Sequence, residues 1–275
     1  MIFYPDIGLS TELYYLTFLK LAKKQITSWG HPESTCNTSI DYFLSSELLE
    51  TKNAQDHYSE KLLLSKYLPM YFYKPNIKKI DDNDISKNNI YSCPQTMFKI
   101  HPDFDEIIKK ILLEDKKAKI YFIKDKDDIL FKKFYERIKK KIINHSERIH
   151  FIDRLNYDEY INHCGQASVL LDPLYFGSGN SFHESMFYGT KTVTLPTQYL
   201  KSRIVSGAYK QMRVDQPPIV NSVDEYVNIA VEIANKDQKK LLEEKKYYQN
   251  CADKKLYENK NSLLEIERIF LSISK

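Results

Sequence analysis

From residue 90 onward the chain predicts an α/β protein built on a parallel sheet, and three observations lead there. The first is alternation. Ile90-Tyr-Ser is followed by a helical stretch from Phe104 to Leu113, Lys119 to Ile123 by one from Leu130 to Ile143, and Arg148 to Ile152 by one from Tyr157 to Cys164. Val169-Leu-Leu and Lys191 to Leu195 add two more strands, with a helix from about Lys201 to Ala208. Strands separated by helices of this length imply parallel β-α-β units in a doubly wound sheet. The second observation is a composition shift between Lys74 and Asn89, where Asp81-Asp-Asn-Asp84 sits among scattered Lys and Asn. Such a segment reads as a linker between two domains. The third is glycine placement: of only seven glycines, Gly177 and Gly179 share one loop. Glycine is favoured where the backbone turns tightly or closely approaches something else.

Before the linker the pattern is shorter but of the same kind. Ile2 to Asp6 opens as a strand, and Ser10 to Ala22 reads as a helix with Leu13, Leu16, Leu19 and Leu21 in apolar spacing and Ser10 or Thr11 as its cap. Gln25 to Trp29 and Ile40 to Leu44 are further strands, with the turn Gly30-His31-Pro32 between them, and Asn53 to Lys61 suggests a short helix. At the other end Val223 to Asn235 reads as a helix. Lys239 to the end reads as mostly charged helix, with Leu256, Leu263, Leu264, Ile266, Ile269 and Phe270 recurring on one face that should pack on something.

Composition excludes several classes. With 275 residues, 42% hydrophobic and 28% charged, the chain can bury one large or two ordinary cores. No run approaches the roughly 18 apolar residues of a membrane helix, so no membrane association is expected. The start carries no basic, apolar and small-residue series of an export signal, and a cytoplasmic protein is the expectation. Cys36, Cys93, Cys164 and Cys251 lie far apart with no C-x-x-C pair, against a zinc site or a disulfide framework. A balance of 41 basic and 37 acidic residues does not imply nucleic acid. The densest basic run, Lys132 to Lys141, carries Phe131, Phe134, Ile138 and Ile142 at helical spacing, so its charges form an outer helix face.

The stretch from Val169 to Gly189 concentrates the chemistry. A strand ending at Asp172-Pro173, a glycine loop and a helix starting near Asn180 and Ser181 can make an anion site, because first-turn amides have no intrahelical partner. The same residues could equally form a plain turn and a capped helix. Lys99, just after a strand and before the Phe104 helix, is either one surface lysine among many or a cation at the sheet edge. Tyr160 is either packing or a stacking surface. His150, His163 and Cys164 read as packing.

Taken together, several segments resemble the SPINDLY-like O-linked N-acetylglucosamine transferases. They are Phe3 to Gly8 with Gln25 to Pro32, Ile40 to Phe43 with Tyr58 to Leu62, Cys93 to Asp105, the Val169 stretch, and Leu195 to Arg203. The resemblance covers nearly the whole chain in order. It implies a GT-B-type α/β fold: two Rossmann-like lobes, a truncated N-terminal lobe over 1–80, a complete C-terminal nucleotide-binding lobe over 90–250, and a helix over 251–275 packing back on the first. Lys99 would hold the diphosphate, with Gln95 and Phe98 beside it, and would neutralise the departing nucleotide as a catalytic group. Asn180 and Ser181, after Gly179, would meet the phosphates and Glu184 the ribose. Tyr160 would stack on the uracil, with Leu155 and Tyr157 lining it. Gly30, His31 and Pro32 would face the donor sugar, where an imidazole could accept a proton.

The resemblance further implies an inverting transferase that needs neither metal nor cofactor. It would use a UDP-sugar, most readily UDP-N-acetylglucosamine, and modify Ser or Thr hydroxyls of a protein acceptor. The first residues match the middle of the family's first lobe. The opening strands and the tetratricopeptide array are therefore expected from a separate chain, or else the protein is an inactive nucleotide-sugar-binding remnant or module.

Overall fold

The computed structural model describes residues 1–81 and 89–274, so the Asp82 to Asp84 part of the acidic linker run lies outside the described residues. The first sheet contains β1 (Ile2–Tyr4), β2 (Gln25–Ser28), β3 (Tyr42–Ser46) and β4 (Lys61–Ser65), all parallel and in that spatial order. Every residue of β2 is buried, and Ile26, Phe43 and Leu44 are wholly so. A strand covered on both faces needs such a run rather than strict alternation.

The short helix α1 (Thr11–Leu16) is capped by Ser10, whose hydroxyl accepts from Leu13 N at 3.2 Å. It ends well before the expected Ala22. None of its residues is buried, and Leu16, Phe18, Leu19 and Leu21 stay exposed, so no packing extends the apolar spacing into further turns. The expected helix after Asn53 is a single tight turn over Ala54–His57.

The second sheet is built from β5 (Ile90–Cys93), α2 (Phe104–Glu114), β6 (Lys119–Ile123), α3 (Asp128–Lys141), β7 (Ile149–Ile152), α4 (Tyr157–Gln166), β8 (Val169–Leu171), α5 (Asn180–Ser185) and β9 (Thr192–Val193). Its five parallel strands lie in the order β7-β6-β5-β8-β9. The chain therefore starts in the middle, winds one way through β6 and β7, and returns to the other side of β5 at β8. That reversal leaves a crevice beyond the carboxyl ends of β5 and β8, where ligands of doubly wound sheets bind. On α3, Phe134 and Ile138 are buried while Lys139, Lys140 and Lys141 crowd its last turn, where they complement the helix dipole.

Four helices complete the chain: α6 (Ile204–Met212), α7 (Val223–Ala234), α8 (Gln238–Lys255) and α9 (Lys260–Ser274). The expected helix at Lys201 begins later, after a tight turn over Leu200–Ser202. The single terminal helix divides in two: α8 runs on through Lys255, and Glu258 adopts a left-handed φ of 48° before α9 starts. The break turns the chain from one lobe to the other. Ile266, Ile269, Phe270 and Ile273 of α9 pack on Ile26, Leu44 and Leu63 of the first sheet.

The lobes share an apolar cluster rather than meeting at a polar seam. Trp29, Phe43, Leu49 and Leu68 of the first lobe pack with Phe182, Met186, Ile204, Tyr209 and Tyr248 of the second. Gly207 permits this, because a Cβ there would lie 2.4 Å from the Leu49 side chain. Arg203 donates to the Leu49 carbonyl and to Thr197 O, and Gln211 Oε1 accepts from Leu68 N at 2.7 Å. No helix of the described residues is long and apolar enough to cross a membrane.

Candidate active site between the lobes

A cleft of ≈ 970 Å³ opens between the carboxyl ends of the two sheets. On the first-lobe side its wall is the loop after β2. Gly30 lies against Pro5, and a Cβ there would stand 2.1 Å from the Pro5 carbonyl oxygen, so only glycine lets the two loops touch. His31 and Pro32 follow into the cleft. The His31 Nε2 is 3.7 Å from the Glu33 carboxylate, and Glu33 also pairs with Lys201 of the other lobe.

This loop is held from beneath by Glu60, which is 1% exposed. Its carboxylate accepts from Ser34 Oγ at 2.8 Å, from Thr35 N at 2.8 Å and from the Thr35 hydroxyl. A buried carboxylate so fully hydrogen-bonded fixes the loop it holds. Glu60 lies within the Tyr58 to Leu62 segment of the resemblance, and no role for it follows from the sequence. Its signal is a lone acid directly before β4, far in sequence from the loop it binds.

On the second-lobe side three loops meet. After β5, Gln95 is buried and donates from Nε2 to Ser181 Oγ at 2.7 Å. Lys99 stands at the end of a tight turn over Met97–Lys99. Its ammonium donates to Gly177 O at 3.3 Å and Gln95 Oε1 at 3.5 Å, and lies 4.5 Å from the centre of the Phe176 ring. Burial holds its pKa below that of an ordinary lysine. Phe98 is 62% exposed, and its ring edge meets Phe176 at 6.1 Å.

After β8, Asp172 organises the glycine loop. It is buried, accepts from Ser178 N and Thr194 Oγ1 at 2.7 Å each, and burial raises its pKa to about 6. Gly177 must be glycine because a Cβ would lie 2.7 Å from the Asp172 carboxylate. Gly179 has a different reason: nothing lies within 4 Å of a Cβ there, so the missing side chain keeps the cleft wall open rather than allowing a close approach. The helix that follows has six residues and no side-chain cap. Its first amides, at Asn180 and Ser181, have no carbonyl ahead of them in the helix.

A second cavity of ≈ 370 Å³ continues from the cleft between the loops after β5, β6 and β7. Leu155, Tyr157 and Tyr160 line it, together with Glu184 from α5. The α4 start is fixed by a capping box between Asn156 and Glu159. The Tyr160 hydroxyl donates to Pro94 O at 3.2 Å, which clamps the ring across the end of β5, and burial raises its pKa well above the usual phenol value. Burial also raises the Glu184 pKa. Every residue assigned to the site from sequence therefore lines one of these two joined spaces. Sequence reasoning missed Arg154, Phe176 and Asp172. His163 and His150 lie outside the site, the first bonded to Ser92 Oγ at 2.8 Å and the second stacked on Tyr121. No group of three or more His, Cys, Asp or Glu among the described residues is placed to hold a metal ion.

No family profile matches the chain. It is 26% identical over 87% of its length to the UDP-glucose:protein N-β-glucosyltransferase of Actinobacillus pleuropneumoniae serotype 5b, of which it covers 39%. It is 22% identical over 76% of its length to a probable UDP-N-acetylglucosamine–peptide N-acetylglucosaminyltransferase of Arabidopsis thaliana, of which it covers 22%. The chain thus spans well under half the length of these relatives. Among solved structures, a Thermobaculum terrenum O-GlcNAc transferase mutant superposes with a TM-score of 0.77 at 17% identity, over 90% of this chain and 48% of that one. Sucrose-phosphate synthase from Thermosynechococcus elongatus gives 0.66 at 11% identity, over 99% of this chain and 73% of that one. The fold is GT-B.

Proposed function

We propose that this chain, which resembles the catalytic region of O-GlcNAc-transferase-like glycosyltransferases, binds a UDP-sugar between its lobes and transfers the hexose to a protein side chain. The observation that carries this is the continuity of an aromatic-lined cavity with a cleft whose wall presents Lys99, Gln95 and Ser181 together. A nucleoside fits the first space, a diphosphate the polar wall, and a sugar the cleft beyond. In this reading Tyr160 stacks on the uracil with Leu155 and Tyr157 around it, and Glu184 accepts from the ribose. Asn180 and Ser181, after the open Gly179, donate to the phosphates, and Gly30, His31 and Pro32 face the sugar.

Transfer is a single displacement with inversion. The acceptor oxygen attacks the anomeric carbon as the bond to the β-phosphate oxygen breaks, and its proton passes to His31. Lys99 neutralises the charge gathering on the departing UDP, an electrostatic contribution that grows toward the transition state. UDP-N-acetylglucosamine as donor and Ser or Thr as acceptor follow from the motif resemblance. The bacterial relative favours a second reading, glucose from UDP-glucose onto a side-chain nitrogen. Incubation of each donor with protein acceptors, followed by UDP release and acceptor mass, tests both. UDP release with one donor, abolished in Lys99→Met, is expected. Tight UDP binding without turnover of either donor would leave a nucleotide-sugar-binding module instead.

A further inference from the structure

The two spaces of the site meet at a neck whose residues include charges of both signs. Pro94, Gln95, Thr96, Arg154, Tyr160 and Glu184 line both the nucleoside cavity and the interlobe cleft. Any ligand occupying both spaces passes between them. In a nucleotide sugar the segment joining nucleoside to sugar is the diphosphate, which brings its negative charges into a neck that already holds the Glu184 carboxylate. Arg154 is the one cation among the six. Lys99 lines the cleft but not the nucleoside cavity, so it stands on the sugar side of the neck.

We propose that Arg154 binds the α-phosphate of the donor, while Lys99 binds the β-phosphate, so that the diphosphate is held by two cations from different loops. The proposal rests on the UDP-sugar reading of this site. Arg154 follows β7, at the carboxyl edge of the parallel sheet where such ligands lie. Its guanidinium forms no hydrogen bond or ion pair with the described residues. The adjacent acid, Asp153, is turned to Lys124 at 2.7 Å instead. An exposed guanidinium with no ion-pair partner among the described residues, at the neck of a cleft, suits a phosphate, which it can meet with two parallel N–H donors. Glu184, facing the same neck, repels phosphate and is left for hydroxyl groups.

The test is calorimetry of the full chain with uridine, UMP and UDP, using Arg154→Gln, Lys99→Met and, as a charge control, Lys126→Gln. Lys126 lines the nucleoside cavity but not the neck. Arg154→Gln is expected to weaken UMP and UDP binding about tenfold or more while leaving uridine within about threefold. Lys99→Met is expected to weaken UDP and spare UMP. Retained UMP and UDP affinity in Arg154→Gln, or an equal loss in Lys126→Gln, overturns the contact while the UDP site itself stands. If the unmodified chain binds UDP no better than uridine, the reading of the site falls and this assignment falls with it.

Discussion

Replacing Lys99 with Met removes a cation whose protein contacts are weak. Its two hydrogen bonds, at 3.3 and 3.5 Å, are at the long end of the useful range, and the remaining contact is the Phe176 ring at 4.5 Å. No carboxylate lies within ion-pair distance among the described residues, and burial already disfavours the charge. The buried Asp172 carboxylate acts on it only from beyond ion-pair distance, so a UDP phosphate would be the first anion in direct contact with it. A hydrogen bond between charged groups contributes about 1.5–3 kcal/mol, so Lys99→Met should weaken UDP binding by about 10- to 150-fold. In the ligand-free protein the same change removes an unpaired, half-buried charge and fills the space with a methionine of similar length. Thermal stability should therefore be unchanged or slightly raised. Calorimetric titration with UDP and a thermal melt check both limbs. UDP affinity within about threefold of the original, or a melting temperature lowered by more than about 5 °C, would refute the reasoning, the latter by making Lys99 a structural residue.

Three further outcomes are expected. Gly30→Ala forces a Cβ onto the Pro5 carbonyl at 2.1 Å, a backbone contact that cannot rotate away; it should cost about 1–3 kcal/mol in denaturant unfolding and lower turnover by displacing His31. Tyr160→Ala should cost about 1–3 kcal/mol in uridine affinity through lost base stacking, whereas Tyr160→Phe should keep that affinity and lose only the bond to Pro94 O; equal losses in both variants would remove the ring from the base site. His183 is 1% exposed and burial lowers its pKa to about 4. The unfolded chain takes up that proton near pH 6.5 and the folded one only near pH 4, so stability should fall as pH drops between these values, by about 2–3 kcal/mol. Asp172, with its pKa raised to about 6, acts in the opposite sense over its own range and partly offsets the loss. His163, whose pKa burial also lowers to about 4, acts in the same sense, so His183→Asn should make the acid limb of a pH–stability curve shallower without abolishing it.

The alternation of strands and helices in the second lobe, and with it a parallel sheet, was legible because it depends on local features: apolar strands, amphipathic crossover helices and a linker ahead of them; the spatial order of the strands was not, since it is set by long-range pairing. The loop after β8 was legible for the same reason, since Asp172-Pro173, Gly177 and Gly179 are punctuation that any chain must place deliberately. What could not be read there was the division of labour. Gly177 is needed against Asp172 and Gly179 is not needed against anything, a distinction that depends on which side chain folds beneath the loop. The C-terminal end of α1 and the break between α8 and α9 were missed because tertiary packing decides them. Leu16 and Leu19 keep helical spacing with nothing to pack against, and the Lys239–Lys275 stretch carries no Pro or Gly at the point where the chain turns back. Glu60 and Arg154 were missed for a related reason. Each acts on or beside loops distant in sequence, and an isolated Glu or Arg in a chain with 28% charged residues carries no local signal.

Hydrogen–deuterium exchange of the full chain with and without UDP tests the central claim most directly. Protection is expected in the three loops after β5, β7 and β8, over 94–99, 154–160 and 177–184, and not around the separate cavity lined by Lys191 ahead of β9, Lys236 between α7 and α8, and Tyr247 of α8. Unchanged exchange in those loops at saturating UDP, or protection at the separate cavity instead, would contradict a nucleotide site between the lobes.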